Sequence, residues 1–269
     1  MNEKQIISLN CAGWAWKTSK ESWESRLRRT CDYIKTKMSN ALFIGLQEVQ
    51  ISGGKYIKVI EEYFADDYYV ILPASYNDQP RPRSVISLLL LKKNMTDSYV
   101  INTLEGLEDS LRYNYVTVHT VDGMSIKCAN LNIPHTSYGN YAPWFQDNRR
   151  LLRQCFIKNI KSLADTYKNE SDIGLVIMGD YNTVPEDSFI DSLAYSYIDR
   201  PMIDAVKPMD KNKVTWRNNG CANRLDYILY NQGLLCDTGF SAKITIVDDY
   251  PIIAKFSDHA ALIGGIIAS

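Results

Sequence analysis

Apolar, β-rich runs in this chain finish repeatedly on an acid or an amide, and that pattern restricts the fold more than any other. "IISLN" ends on Asn10, "LFIGLQE" on Glu48, and "LVIMGDYN" on Asp180 and Asn182. "RLDYIL" places Asp226 at a strand start, and "FSDHA" carries Asp258 and His259. An ionised carboxylate is a poor core residue unless it is paired or bound to a metal. Strand ends of different sheets that converge on one cleft can hold such groups. Each residue has an ordinary explanation when taken alone: Asn10 and the Gly179–Asn182 segment as turn formers, Asp226 as a partner of Arg224 or Arg217, Asp258 as a turn or capping acid. An ordered series of such strand ends along one chain is harder to dismiss.

Between these ends, short strands alternate with amphipathic stretches. Trp23, Leu27, Cys31 and Ile34 recur at three- and four-residue steps and predict a helix, as does "YIKVIEEYF" over 56–64. Leu151, Leu152, Cys155, Phe156, Ile160 and Leu163 predict a third helical face over 148–163. Strands are expected at 5–10, 41–48, 173–180, 224–231 and 259–268, with "YYVILPA" and "VISLLLLKK" between. In "YNYVTVHTVDGMSIKCANLNI", Asp122-Gly123 marks a hairpin turn between two alternating runs. Hairpins mixed with helical crossovers predict an α/β architecture of mixed sheets packed face to face with helices outside. Neither an internal repeat nor a linker-like stretch divides the sequence, so a single domain over residues 1–269 is expected.

The net charge of −1 provides no global basic field for nucleic acid. An anionic substrate would have to be met by a bound cation or by local basic residues, for which Arg81, Arg83, Arg149, Arg150, Arg153, Lys211, Lys213, Arg217 and Arg224 are candidates. The 6 cysteines form no CxxC pair and show no metal-ligand spacing. Cys128, within an apolar run, reads as a small hydrophobe, which favours a reducing compartment. With neither a signal-peptide core nor an apolar run long enough to span a membrane, a cytoplasmic enzyme without membrane association is expected.

The ordered set resembles the endonuclease/exonuclease/phosphatase family of metal-dependent phosphoesterases, which includes deoxyribonuclease I and the abasic-site endonucleases. Its carriers are "SLNCAG", "GLQEV", "NLNIPHT", "VIMGDYNTVPED", "VTW", "NRLDYIL" and "FSDHAAL", from Asn10 to His259. The resemblance implies a four-layer α/β sandwich with the cleft at one edge of two packed sheets. It also implies that Glu48 holds a divalent cation, Mg²⁺ or Mn²⁺, with Asn10 beside it and Asp258 near the same site. Hard oxygen ligands suit these ions. By the same resemblance, Asp180 orients or deprotonates the attacking water, and Asn182 holds phosphate and nucleophile in line. His259 hydrogen-bonds the scissile phosphate, with Asp226 fixing its ring and favouring its charged form.

Many members of the family end the strand at 130–132 on histidine, and the abasic-site enzymes place tyrosine there. Here the residue is Asn132, which can donate to a phosphate but cannot serve as an acid. In a second alignment His135 fills the role after a loop shift, and both remain open. Arg81 and Arg83 lie where relatives carry a substrate loop, and Trp216 of "VTW" is either a groove-side aromatic or core. His119, beside the hairpin turn, reads as a strand or surface residue without a role. The resemblance implies hydrolysis of nucleic-acid phosphodiesters, DNA first, in the manner of an endonuclease. The alternatives are a small-molecule or lipid phosphoesterase of the inositol-phosphate phosphatase or sphingomyelinase type, and a non-catalytic binding module.

Overall fold

The computed structural model describes residues 3–12, 22–37, 39–76, 85–135, 143–170, 172–195, 201–204, 214–218, 221–231, 243–246, 257, 259 and 261–267. Two six-stranded mixed sheets pack against each other. In chain order the first sheet contains β1 (Glu3–Asn10), β2 (Ala41–Gln50), β3 (Tyr68–Ile71), β4 (Val85–Lys92), β13 (Lys243–Ile246) and β14 (Leu262–Ile267), arranged β13-β14-β1-β2-β4-β3. The second contains β5 (Thr96–Asn102), β6 (Tyr113–Thr120), β7 (Ser125–Asn132), β8 (Ile173–Asp180), β9 (Met202–Asp204) and β12 (Asp226–Asn231), arranged β5-β6-β7-β8-β12-β9. A small ribbon pairs β10 (Trp216–Asn218) with β11 (Cys221–Asn223). The helices are α1 (Trp23–Lys37), α2 (Lys55–Phe64) and α3 (Pro143–Tyr167), with short helical turns elsewhere.

Parallel neighbours need a crossover, whereas antiparallel ones can be joined by a tight turn. The parallel pair β1–β2 is connected through α1, and the parallel pair β7–β8 through α3. The Asp122-Gly123 turn joins β6 and β7 as an antiparallel hairpin, with Gly123 at φ +87°.

Both faces of each sheet are covered, which is why the central strands read as nearly continuous apolar runs. Along β4, Ile86, Leu88 and Leu90 pack with α1 and α2, while Leu89 and Leu91 face the second sheet. Along β8, Val176 and Met178 lie between the sheets, and Leu175 and Ile177 pack with Phe156 and Ile160 of α3. The layers are therefore helices, sheet, sheet and helix, as the alternation of strands and helices predicted. Each fully buried aliphatic side chain contributes roughly 1.5–3 kcal/mol. Cys11, Cys31 and Cys128 are among the buried residues.

Local pattern reading differed from the structure in several places: the short strands β9, β10, β11 and β13 were not anticipated, and the last strand begins at Leu262. Leu151, assigned to the buried face of α3, is 57% exposed. β5 was not anticipated: it is an edge strand that exposes Val100 and Ile101, so it lacks the alternation of a half-buried strand. The strand expected from residue 224 begins at Asp226, because Arg224 turns away into a buried ion pair with Asp204. No helix among the described residues is long and apolar enough to cross a membrane.

Candidate active site

The space between the two sheets changes from apolar to polar as it approaches one edge. On β1, Ile6 belongs to the inter-sheet core, and the positions in phase with it are Ser8 and Asn10. On β7, Ile126 and Cys128 are followed in phase by Asn130 and Asn132; on β8, Val176 and Met178 are followed by Asp180; on β12, Ile228 is preceded by Asp226. Alternate residues of a strand project to the same face. The period that builds the core thus also delivers Asn10, Asn132, Asp180 and Asp226 to one end of it. Register completes the alignment, with Asn132 paired with Asp180 across β7–β8 and Asp226 paired with Asp180 across β12–β8.

Hydrogen bonds join these ends. Asn10 Nδ2 donates to Asp180 Oδ2 at 3.0 Å, linking the first sheet to the second. Asn182 donates to the same carboxylate twice, through its backbone N–H to Oδ1 at 2.8 Å and its Nδ2 to Oδ2 at 2.9 Å. Asn182 Nδ2 also reaches the Ile133 carbonyl at 2.9 Å. His259 Nδ1 lies 2.8 Å from Asp226 Oδ2, with both side chains buried. The other oxygen of Asp226, Oδ1, is buried and has no hydrogen-bond partner among the described residues.

Glu48 reaches the cluster by a different device. Strict alternation from Leu46, which packs on the helix side, would keep Glu48 on that side too. A register break between Leu46 and Val49 and a left-handed backbone at Glu48, φ +54°, redirect it. Bulges of this kind commonly re-aim a side chain at the edge of a sheet. Ala12 and Asn182, at φ +50° and +48°, share that uncommon conformation, so three of the strand ends that border the cluster carry backbone strain.

The carboxylates act on one another. Burial pushes the Asp180 carboxyl up to about 7, with Asp226 and Glu48 pushing the same way, while His259 and the Asn182 N–H pull it down. Burial likewise pushes the Cys11 thiol, next to Asn10, up to about 12, helped by the charge of Glu48 and opposed by Arg26. Three acids, Glu48, Asp180 and Asp226, thus stand close enough to interact in a largely buried space. Among the described residues no group of three or more His, Cys, Asp or Glu side chains is gathered tightly enough to hold a metal ion, and Asp258 lies outside them. What suits a divalent cation is the chemistry of the donors, hard carboxylate oxygens with the buried Asp226 Oδ1 lacking a partner among the described residues.

Several supporting residues were not singled out by sequence reasoning. Ser257 Oγ donates to the Asn10 carbonyl at 2.6 Å and accepts from the His259 N–H at 3.0 Å, tying the histidine to the end of β1. Thr215 Oγ1 accepts from the N–H groups of Leu225 and Asp226 at 2.9 and 3.1 Å, fixing the start of β12. Both lie within the "FSDHA" and "VTW" segments, where a small hydroxyl beside the named residue was the available signal. Arg112, whose Nη1 donates to Asn132 Oδ1 at 2.5 Å, had no sequence signal at all.

Among the expected substrate contacts, Trp216 is half-buried, and its backbone bridges that of His259. His135 is half-buried where the chain leaves β7, and His119 is exposed beside Ser125. Two of the basic candidates are committed elsewhere. Arg224 is buried against Asp204 at 2.7 Å and the Tyr195 hydroxyl at 2.8 Å. Arg153 Nη1 holds the carbonyls of Pro134 and Tyr181, both at 3.1 Å, and its Nη2 donates to Thr183. Arg153 therefore binds the two strand-end loops to each other. Asp258, Arg81, Arg83, Lys211 and Lys213 lie outside the described residues.

No protein-family model and no curated relative matches the sequence. Solved structures do match over the whole chain. An endonuclease/exonuclease/phosphatase from Bacteroides vulgatus superposes with a TM-score of 0.68 at 14% identity, covering 100% of both chains. The fold is that of the endonuclease/exonuclease/phosphatase proteins. The human Nocturnin catalytic domain, solved with a bound sulfate anion, superposes with a TM-score of 0.65 at 16% identity over 99% of this chain and 95% of that one. D. rerio TDP2, solved with a single-strand DNA product, gives 0.63 at 15% identity and 100% of both chains. In this endonuclease/exonuclease/phosphatase fold, the cluster occupies the carboxyl ends of both parallel strand pairs, where α/β sheets generally place their ligands.

Proposed function

We propose that this chain, as one catalytic domain over residues 1–269, is a divalent-cation-dependent phosphodiesterase that cleaves nucleic acid, DNA first, as an endonuclease. The observation that carries the reading is the cross-strand pair Asp180–Asp226 with His259 hydrogen-bonded behind it. The DNA product in the TDP2 structure and the sulfate in Nocturnin support an anionic phosphoester as the substrate class.

Asp180, with its carboxyl near 7, is suited to take a proton from the attacking water at neutral pH. Asn182 and Asn10 hold that carboxylate in place through three donated hydrogen bonds, so its orientation is set before substrate arrives. Asp226 accepts from His259 Nδ1, fixing the tautomer and leaving Nε2 as the nitrogen that acts on a phosphoryl oxygen. An imidazolium aimed there stabilises the charge that grows in the transition state. Asn132 contributes a donor from the neighbouring strand, and His135, Arg81, Arg83 and Trp216 are assigned to the substrate path. Glu48, with Asn10 and Asp258, would hold Mg²⁺ or Mn²⁺, which when bound supplies positive charge at the phosphate that the near-neutral chain lacks.

Supercoiled plasmid, a single-stranded oligonucleotide, RNA, a phosphomonoester and a lipid phosphodiester would be incubated with the protein, with Mg²⁺ or with a chelator. The expected outcome is cation-dependent nicking of the plasmid that Glu48→Ala and His259→Ala both abolish. Hydrolysis confined to phosphomonoesters or lipids would sink the nuclease reading in favour of a small-molecule or lipid phosphoesterase. Hydrolysis of none of them would favour a binding module.

A further inference from the structure

Asn132 is 1% exposed, and its two amide atoms are in unequal surroundings. Oδ1 accepts from Arg112 Nη1 at 2.5 Å, whereas Nδ2 is buried without a hydrogen-bond partner among the described residues. The two residues are also joined through the backbone, the Asn132 N–H donating to the Arg112 carbonyl at 2.8 Å. An asparagine amide has one accepting and one donating end, and crystallographic assignments of the two are often interchangeable. Here they are not. A guanidinium carries donors only, so a flipped amide would set an NH₂ group against a cation. Asn132 pairs in register with Asp180, which places both side chains on the inner face of the sheet at the cluster.

We propose that Arg112 is a positioning residue that locks the Asn132 amide with its NH₂ group turned to the cleft, making this wall a fixed hydrogen-bond donor for a phosphoryl oxygen. This rests on the phosphodiesterase reading above for its substrate class. The buried, unpartnered Nδ2 is the group a phosphoryl oxygen would satisfy. Because the amide has no proton to give up, it binds the phosphate and does not act as an acid on the leaving group.

Inorganic phosphate is the probe. In the full chain labelled with ¹⁵N, the side-chain NH₂ resonance of Asn132 is expected to shift on titration with phosphate, and Arg112→Met is expected to remove that response. Phosphate inhibition of hydrolysis should weaken about ten-fold in Asn132→Ala and in Arg112→Met, and no further in the double variant, because the two act through one bond. Arg112→Lys, which keeps a cationic donor, should recover part of the loss and guards against misfolding of the methionine variant. Effects that multiply in the double variant, or an Asn132 amide silent to phosphate, would overturn the proposal. A chain that hydrolyses no phosphoester would fail the functional reading alone, because the amide titration still decides this one.

Discussion

Asp180 and Asp226 stand directly opposite each other at the paired ends of β8 and β12, two carboxylates on adjacent antiparallel strands with the His259 ring hydrogen-bonded to one of them. Like charges in directly opposed positions destabilise a sheet. The arrangement persists because each carboxylate is held by other groups: Asp180 by Asn10 and Asn182, Asp226 by His259. Asp226→Asn should lower turnover by roughly 10²–10⁴-fold, since the amide can present an NH₂ group to Nδ1 and lose control of the tautomer. The same change relieves the repulsion on Asp180, so the melting temperature should hold or rise. Paired measurements of kcat and thermal unfolding test this; a large loss of stability would show that the Asp226–His259 link is mainly a fold element.

The raised Asp180 carboxyl makes activity and stability run in opposite directions with pH. As a base it must be ionised, so log kcat/KM should climb with unit slope below about pH 7 and flatten above it. For stability, the folded state holds the proton more tightly than the unfolded chain, whose value is near 3.8. The contribution is therefore fully present below that value and is lost as pH rises through about 7. Urea unfolding of the cation-free protein at several pH values between 4 and 7.5 should show stability declining across this window. Stability that rises steadily over the same range would contradict the assignment.

Glu48 occupies a left-handed backbone position, which penalises any residue with a Cβ. Glu48→Gly should thus be more stable than Glu48→Ala by about 1 kcal/mol. Both variants should be inactive. Millimolar Mg²⁺ should raise the melting temperature of the parent protein by mass action and leave both variants unmoved. A cation response that survives in either variant would place the ion elsewhere.

Gly179 precedes Asp180 with φ +138°, and a Cβ built there would sit 1.9 Å from the Leu131 carbonyl oxygen. That carbonyl belongs to β7, the parallel neighbour of β8, and cannot retreat without breaking the register that sets Asn132 beside Asp180. Gly179→Ala should cost about 3 kcal/mol or more, visible as an insoluble or strongly destabilised protein. A well-folded, active Gly179→Ala would mean that the strand end adapts far more than this packing allows.

Much of the candidate cluster was legible because it obeys the same period as the core. Ile6-x-Ser8-x-Asn10 and Val176-x-Met178-x-Asp180 are strand alternations whose last member happens to be polar, and a reader of periodicity meets the site residue in phase. Glu48 stood out as the acid that closes its apolar run, but alternation alone would have put it on the helix side, because the bulge that re-aims it leaves no trace in the sequence. Arg224 and Arg153 were only candidates for meeting an anion, and sequence could not decide their role, since an arginine's partner is set by what packs around it and not by its neighbours in sequence. For Arg224 that partner is Asp204, and for Arg153 it is a pair of loop carbonyls.

From sequence alone, the alternation of strands and helices, the Asp122-Gly123 hairpin and the polar residues closing apolar runs determined the layered sheets and most of the cluster's membership. Only the tertiary structure decided who faces whom: Asp226 across from Asp180, Asn132 held by Arg112, Ser257 joining His259 to Asn10. The physical reason is range. Backbone propensity and side-chain period act over a few residues, whereas these pairings depend on strand register and on the contact of two sheets whose members lie far apart in the chain.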